Sequence, residues 1–134
     1  MLQQDAQAYK QLLEAGNTIA VIEQYYDDNI YQQENDEETI RGKQRLLSLE
    51  QQSLEKIDQL VIRVPTLVVD EEQQIVMGEM MITFYHKTEG LKFLKEAFLQ
   101  HWENGKIVKQ QFYYRAIRGA AGPGNNSKQA KDPS

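Results

Sequence analysis

The segment Leu91–Ile117, LKFLKEAFLQHWENGKIVKQQFYYRAI, carries two alternating arms on either side of Asn104-Gly105. Asn-Gly tolerates the positive φ angles a tight hairpin demands, so the two arms are predicted to fold back on each other as long antiparallel strands. In both arms aromatic and polar residues take turns at a period of two, the pattern of a cavity wall. Two registers are open. A two-residue turn at Asn104-Gly105 pairs Trp102 with Ile107, and a three-residue loop with a bulge at Gly105 pairs Trp102 with Lys106. The bulged register is preferred, because it gathers Leu94, Glu96, Phe98, Gln100, Trp102, Val108, Gln110, Phe112 and Tyr114 on one face. Phe93, Lys95, Ala97, Leu99, His101, Ile107, Lys109, Gln111, Tyr113 and Arg115 then take the other face. The tight turn divides the aromatics evenly between the faces, and a one-residue slip inverts one arm against the other.

Ahead of this hairpin the hydrophobic period changes once. Leu2, Ala6, Tyr9 and Leu13 recur at helical spacing, and Gly16 ends that helix. Asn17 or Thr18 caps a short second helix to about Tyr26. Asp27-Asp28-Asn29 reads as a break, Ile30–Glu34 as a short strand and Asn35–Glu38 as an acidic turn. Gly42 opens a third helix with Leu46, Leu47, Leu54 and Ile57 at helical intervals. From Leu60 the period is two. Pro65 inside the strand Leu60–Val69 marks an edge or a bulge, since it cannot donate to a ladder. Glu71–Gln74 turns the chain into the strand Ile75–Tyr85, and His86–Gly90 turns it into the hairpin. Three helices with one strand among them, followed by a four-strand meander, predict an α+β fold: a cone-shaped, curved antiparallel sheet with the helices on one face.

The 134 residues are one domain's worth, expected to occupy 1–117, with residues 118–134 lacking any large apolar group and expected to be disordered. No apolar run reaches membrane-spanning length, and the start, MLQQDAQAYK, is unlike a secretion signal, so a cytoplasmic protein is expected. The absence of cysteine excludes disulfides, thiolate catalysis and cysteine-bound metal. Net charge is −5, with eight carboxylates and no Lys or Arg in residues 11–40. That balance speaks against nucleic acid as a partner. His86 and His101 have no ligand spacing to any acid, so no metal site is expected. Phosphate-binding glycine loops and nucleophile motifs are absent as well.

YYDDNIYQQEND, followed by IRGKQRLL and later by HWENGKIVKQQFYY, resembles the nuclear transport factor 2-like superfamily and, within it, the SnoaL-like proteins. The likeness spans residues 5–116. It implies a cystatin-like cone with an internal cavity, no cofactor and commonly a homodimer. The similar ketosteroid isomerases place a tyrosine in the first helix, which matches Tyr9. Their general-base position falls on Gln33, with Glu34 beside it, and their second oxyanion donor falls on Phe98. Gln33 cannot accept a proton from carbon and Phe98 cannot donate one, so isomerisation by that route is not expected. Where SnoaL-like cyclases use inward His and Asp groups, the inner face here offers Glu96, Gln100 and Gln110.

Glu96 is the leading candidate for chemistry. Between Leu94 and Phe98, and opposite Phe112 and Tyr114, its carboxylate would be desolvated and its pKa raised toward a range useful for proton transfer. Glu79, in the apolar run VMGEMMITF, is a second candidate if the strands bring it beside Glu96, and Tyr9 a possible hydrogen-bond donor. Glu34 is taken as a surface acid of its turn. Met77, Met80 and Met81 suit either a pliable lining or a core. The ligand-binding set is Phe98, Gln100, Trp102, Gln110, Phe112 and Tyr114. The function expected is a cavity protein for a small, largely apolar molecule; the alternative is a cofactor-free isomerase, cyclase or dehydratase using Glu96. A homodimer is expected through the outer sheet face, where Phe93, Leu99, Ile107 and Tyr113 lie among cations.

Overall fold

The computed structural model describes residues 1–115; the tail expected at 118–134 and the last two residues of the expected domain lie outside them. Helix α1 (Leu2–Glu14) buries Leu2, Ala6, Tyr9 and Leu13 on one face, the four positions its spacing predicts. The Glu71 carboxylate accepts from the backbone N–H groups of Leu2 and Gln3, at 3.3 and 2.8 Å, so the strand turn 69 residues away caps the helix start. At the other end the Gly16 N–H reaches the Leu13 carbonyl with φ at +80°. The Asn17 side chain then caps α2 (Thr18–Tyr25) by accepting from the Ala20 N–H at 3.3 Å.

Strand β1 (Tyr26–Glu34) starts directly at the end of α2. The break expected at Asp27–Asn29 is instead part of this strand, because a register shift between Tyr26 and Tyr31 absorbs the polar residues while Tyr26 pairs with Ile107. A short β2 (Ile40–Arg41) follows, which the sequence pattern does not signal, and then α3 (Lys43–Leu54). Ile57, placed in the helix by its spacing, begins the long strand β3 (Ile57–Asp70). The meander continues with β4 (Ile75–His86), β5 (Gly90–Glu103) and β6 (Lys106–Tyr114).

The strands form one six-stranded sheet in the order β2-β1-β6-β5-β4-β3. It is mixed rather than wholly antiparallel, since β1 runs parallel to β6. The chain leaves β1, passes through α3 and the meander, and returns beside β1 in the same direction. Pro65 sits on the edge strand and also at a bulge: Arg63 pairs with Met81 and Thr66 with Glu79, so Val64 and Pro65 share one opposing residue.

At the hairpin both sequence alternatives prove partly right. Glu103 pairs with Lys106 and Trp102 with Ile107, across Asn104 and Gly105 at φ +51° and +77°. This is the tight turn, and the expected pairing of Trp102 with Lys106 is absent. One step further in, His101 pairs with Lys109, leaving Val108 as an extra residue. The bulge restores the facing of the other register, with Gln100 opposite Gln110, Phe98 opposite Phe112 and Glu96 opposite Tyr114. Ile107 is the casualty of that shift. Expected on the outer face, it is fully buried in the core. No helix among the described residues is long and apolar enough to cross a membrane.

Candidate functional site

The concave face of the sheet and the three helices enclose a cavity of about 460 Å³, within the range that holds a small molecule. Its apolar walls come from Ile62 of β3, Met80 and Ile82 of β4, Leu94 of β5 and Phe112 of β6, closed on the helical side by Leu13, Val21 and Ile22. Ser53 and Lys56, both exposed, stand at its rim with His86.

Glu96 projects from β5 into this space, flanked on its own face by Met80 of β4 and Tyr114 of β6. It has no hydrogen-bond partner among the described residues. Burial, with a smaller contribution from the nearby Glu34 carboxylate, pushes its pKa from 4.5 up to about 8. Glu34 also lines the cavity, correcting its assignment as a surface acid of the turn. It is held there because the Tyr114 hydroxyl donates to it at 2.5 Å. Burial and that hydrogen bond keep the Tyr114 phenol protonated far above the usual range.

Tyr9 lines the cavity from α1 and meets Trp102 edge-on, ring centroids 5.8 Å apart at 89°. Tyr25 meets both rings at the same spacing, edge-on to Tyr9 at 85° and tilted against Trp102 at 57°. These three aromatics pack against one another between α1, α2 and β5. They also explain a correction to the expected ligand-binding set. Phe98, Gln100, Trp102 and Gln110 do lie on the inner face, but each is at most 1% exposed: Tyr9 and Tyr25 pack on Trp102, Tyr9 meets Gln100, and Gln110 is engaged by Tyr26 and Gln32. They support the floor of the cavity and do not line it. Of the six residues expected to contact ligand, Phe112 and Tyr114 reach the cavity.

Glu79 is a second correction. Its register partner on β5 is Ala97, one residue away from Glu96 and therefore on the opposite face. It is exposed there and accepts from the Thr66 hydroxyl at 2.8 Å. The pairing of two strand carboxylates expected in the cavity is made by Glu34 and Glu96 instead.

Beneath the floor runs a chain of buried side-chain hydrogen bonds. The Trp102 indole donates to Gln100 Oε1 at 3.0 Å. Gln100 Nε2 donates to the Tyr9 hydroxyl at 3.0 Å and to Gln110 Oε1 at 2.6 Å. Gln110 Nε2 in turn donates to the Tyr26 hydroxyl at 3.0 Å and to Gln32 Oε1 at 2.8 Å. Tyr26 and Gln32 both line the cavity, and neither is marked by the sequence pattern. Tyr26 is lost in the apparent break that follows it. Gln32 is a polar residue in a polar strand, and only its register opposite Gln110 reveals its role. Among the described residues no His, Cys, Asp or Glu cluster could hold a metal ion.

No protein-family model matches the chain, and no curated protein matches it. Solved structures do. A protein of Mesorhizobium loti described as a SnoaL-like polyketide cyclase superposes with a TM-score of 0.72 at 23% identity, over 85% of this chain and 99% of that one. A protein of Pseudomonas putida described as a polyketide cyclase gives 0.69 at 16% identity, over 86% and 92%. A protein of M. tuberculosis described as an LEH-like epoxide hydrolase gives 0.68 at 12% identity, over 84% and 80%. At these identities the agreement concerns backbone architecture, and it extends over the helices, the sheet and the cone between them. The chain has the α+β cone fold of the nuclear transport factor 2-like superfamily, in the form shared with SnoaL-like proteins.

Proposed function

We propose that the protein takes up a small, largely apolar molecule in the cone and that Glu96 exchanges a proton with it, as a cofactor-free enzyme of the isomerase, cyclase or dehydratase kind. The observation that carries this is the placement of Glu96. A carboxyl group without a hydrogen-bond partner among the described residues projects into an apolar cavity, where its pKa of about 8 lets it both hold and release a proton near neutrality. A carboxyl group kept only for stability would be paired, since a lone buried one is costly. The neighbouring proteins described as cyclases and as an epoxide hydrolase lend support at the level of fold.

Binding without catalysis is favoured by one observation. Gln33 pairs with Gln111 on the outer side of the sheet and Phe98 is sealed in the core, so the catalytic positions of the similar isomerases hold no acid or donor. The two functions separate in heavy water. A molecule recovered from the purified protein by extraction and returned to it should gain deuterium with the native chain and not with Glu96→Gln. Equal incorporation by both would remove Glu96 from the chemistry, and no incorporation by either would leave a binding protein.

The outer sheet face is proposed to carry a second copy of the chain. Phe93, Tyr113, Val68 and Met77, each 47–58% exposed, form an apolar surface there. Arg63, Lys95 and Glu79 are interleaved with them on the same side, so a twofold-related copy can set opposite charges against each other.

A further inference from the structure

We infer that the ligand is an amphipathic carboxylic acid whose apolar body fills the cone and whose carboxylate sits at the mouth. There the Lys56 ammonium, the His86 Nε2–H and the Ser53 hydroxyl hold it. This ligand class rests on the cavity function proposed above.

Backbone contacts bring the three groups together. Ile57 pairs with His86 at the start of the β3–β4 ladder. Just ahead of it the Lys56 carbonyl accepts from the Lys87 N–H at 2.9 Å, and the Lys56 N–H donates to the Ser53 carbonyl at 3.0 Å. The end of α3 is thereby tied to the β4–β5 turn, with all three side chains lining the cavity. The state of the His86 ring follows from its neighbours. The backbone N–H groups of Thr88 and Glu89 both reach Nδ1 at 3.2 Å, and the Thr88 hydroxyl lies 3.1 Å from the same atom. A backbone N–H only donates, so Nδ1 accepts and the ring proton sits on Nε2. With Nδ1 turned to its own loop, the Nε2–H is the polar atom the ring offers to the cavity.

Neither that N–H, the Lys56 ammonium nor the Ser53 hydroxyl has an acceptor among the described residues. The other charged groups near the mouth are committed. Lys92 pairs with Glu89 at 3.1 Å, and Lys87 Nζ donates to the Glu55 carbonyl at 2.9 Å. The Glu50 carboxylate accepts from the Thr18 hydroxyl at 2.6 Å, on the α2 side of the cavity. Inward from the mouth, the β4 wall runs from His86 through Phe84 and Ile82 to Met80, which lies opposite Glu96. Six residues of extended strand make this path about 20 Å long, and its side chains are apolar. A charged group on the ligand therefore meets partners only at the ends. At the inner end the carboxyl groups of Glu34 and Glu96 disfavour an anion. At the mouth one ammonium balances one carboxylate, and the imidazole N–H and the hydroxyl add hydrogen bonds to its oxygens. A phosphate would bring a second negative charge close to Glu89 and Glu50, with no second uncommitted cation among the described residues to meet it. The carboxylate at the mouth leaves the other end of the ligand to Glu96.

Octanoate, octanol and octyl phosphate, titrated calorimetrically into the full chain at neutral pH, test this. Octanoate should bind about tenfold more tightly than octanol, the effect of hydrogen bonds to a charged group. Added sodium chloride should weaken octanoate alone, because the mouth is open to solvent. Lys56→Gln and His86→Asn should each lower the ratio of the two affinities by about threefold to fivefold. The asparagine oxygen can still accept from the Thr88–Glu89 loop, but nothing replaces Nε2. Arg45→Gln, which removes an exposed charge from the first turn of α3, should leave the ratio as it is. If His86→Asn does not fold, Lys56→Gln decides, since Lys56 is exposed. Equal affinity for octanoate and octanol would overturn the carboxylate site and leave the cavity standing. Octyl phosphate bound more tightly than octanoate would overturn the carboxylate in favour of a phosphate. A ratio unchanged by Lys56→Gln, or lowered as much by Arg45→Gln, would overturn the assignment of the anion to the mouth. Failure of all three probes to bind would overturn the cavity function and this inference with it.

Discussion

Glu96 shows how a single side chain can couple function to stability. In the unfolded chain it titrates near 4.5 and in the folded one at about 8. Below the lower value both states are protonated and the group costs nothing. As pH rises between the two, the unfolded state ionises first and is favoured, so stability declines until the folded pKa is passed. The full penalty is about 5 kcal/mol at most. Glu96→Gln keeps the shape and abolishes the titration. Its urea-unfolding free energy, compared with that of the native chain from pH 4 to 9, should match at the acid end and exceed it at the alkaline end by up to about that amount. Parallel curves across the range would show that the carboxyl group is solvated.

Among the elements, the start of α1 and the middle of β4 are held by contacts that no local pattern contains. The α1 cap comes from Glu71 in the β3–β4 turn. Glu71→Ala leaves two helix N–H groups without that acceptor and should cost about 1 kcal/mol, a few degrees in melting temperature, whereas Glu72→Ala should cost less. On β4, Gly78 permits close packing of strand and ring. A Cβ there would lie 2.3 Å from the Thr66 carbonyl oxygen and 2.8 Å from Phe98 Cζ. Since the nearer atom belongs to the backbone, Gly78→Ala should destabilise by about 3 kcal/mol or more, measurable by chemical denaturation. A near-neutral result would mean that β3 can move away from β4.

For the whole molecule, the cavity and the outer sheet face make opposite demands on the same strands. Residues of one parity line the cone and those of the other stand on the convex side, where Phe93, Val68, Met77 and Tyr113 remain exposed. An apolar area of this kind on a curved sheet is expected to be covered by a second chain. Light scattering at micromolar concentration should give twice the 15.6 kDa of the chain. Phe93→Glu should return it to the monomer with the cavity intact; a native chain that is monomeric throughout would rule the dimer out.

The periodicities that depend on neighbouring residues were legible in the sequence: the buried face of α1, the helix stop at Gly16, the β-rich second half, the Asn104-Gly105 turn and the inward parity of Glu96 and Phe112. Each follows from backbone geometry over a few residues, which sequence alone determines. Other features arise between segments distant in the chain, and only the tertiary structure decides them. The parallel pairing of β1 with β6 turned polar Gln32 into a cavity residue. The Val108 bulge sent Ile107 inward while preserving the faces of both arms. Tyr9 and Tyr25 covered Gln100 and Trp102, converting an expected ligand contact into a buried hydrogen-bond chain. Alternation can assign a side chain to a face of a sheet; whether that face meets a ligand or a helix depends on what the rest of the chain lays over it.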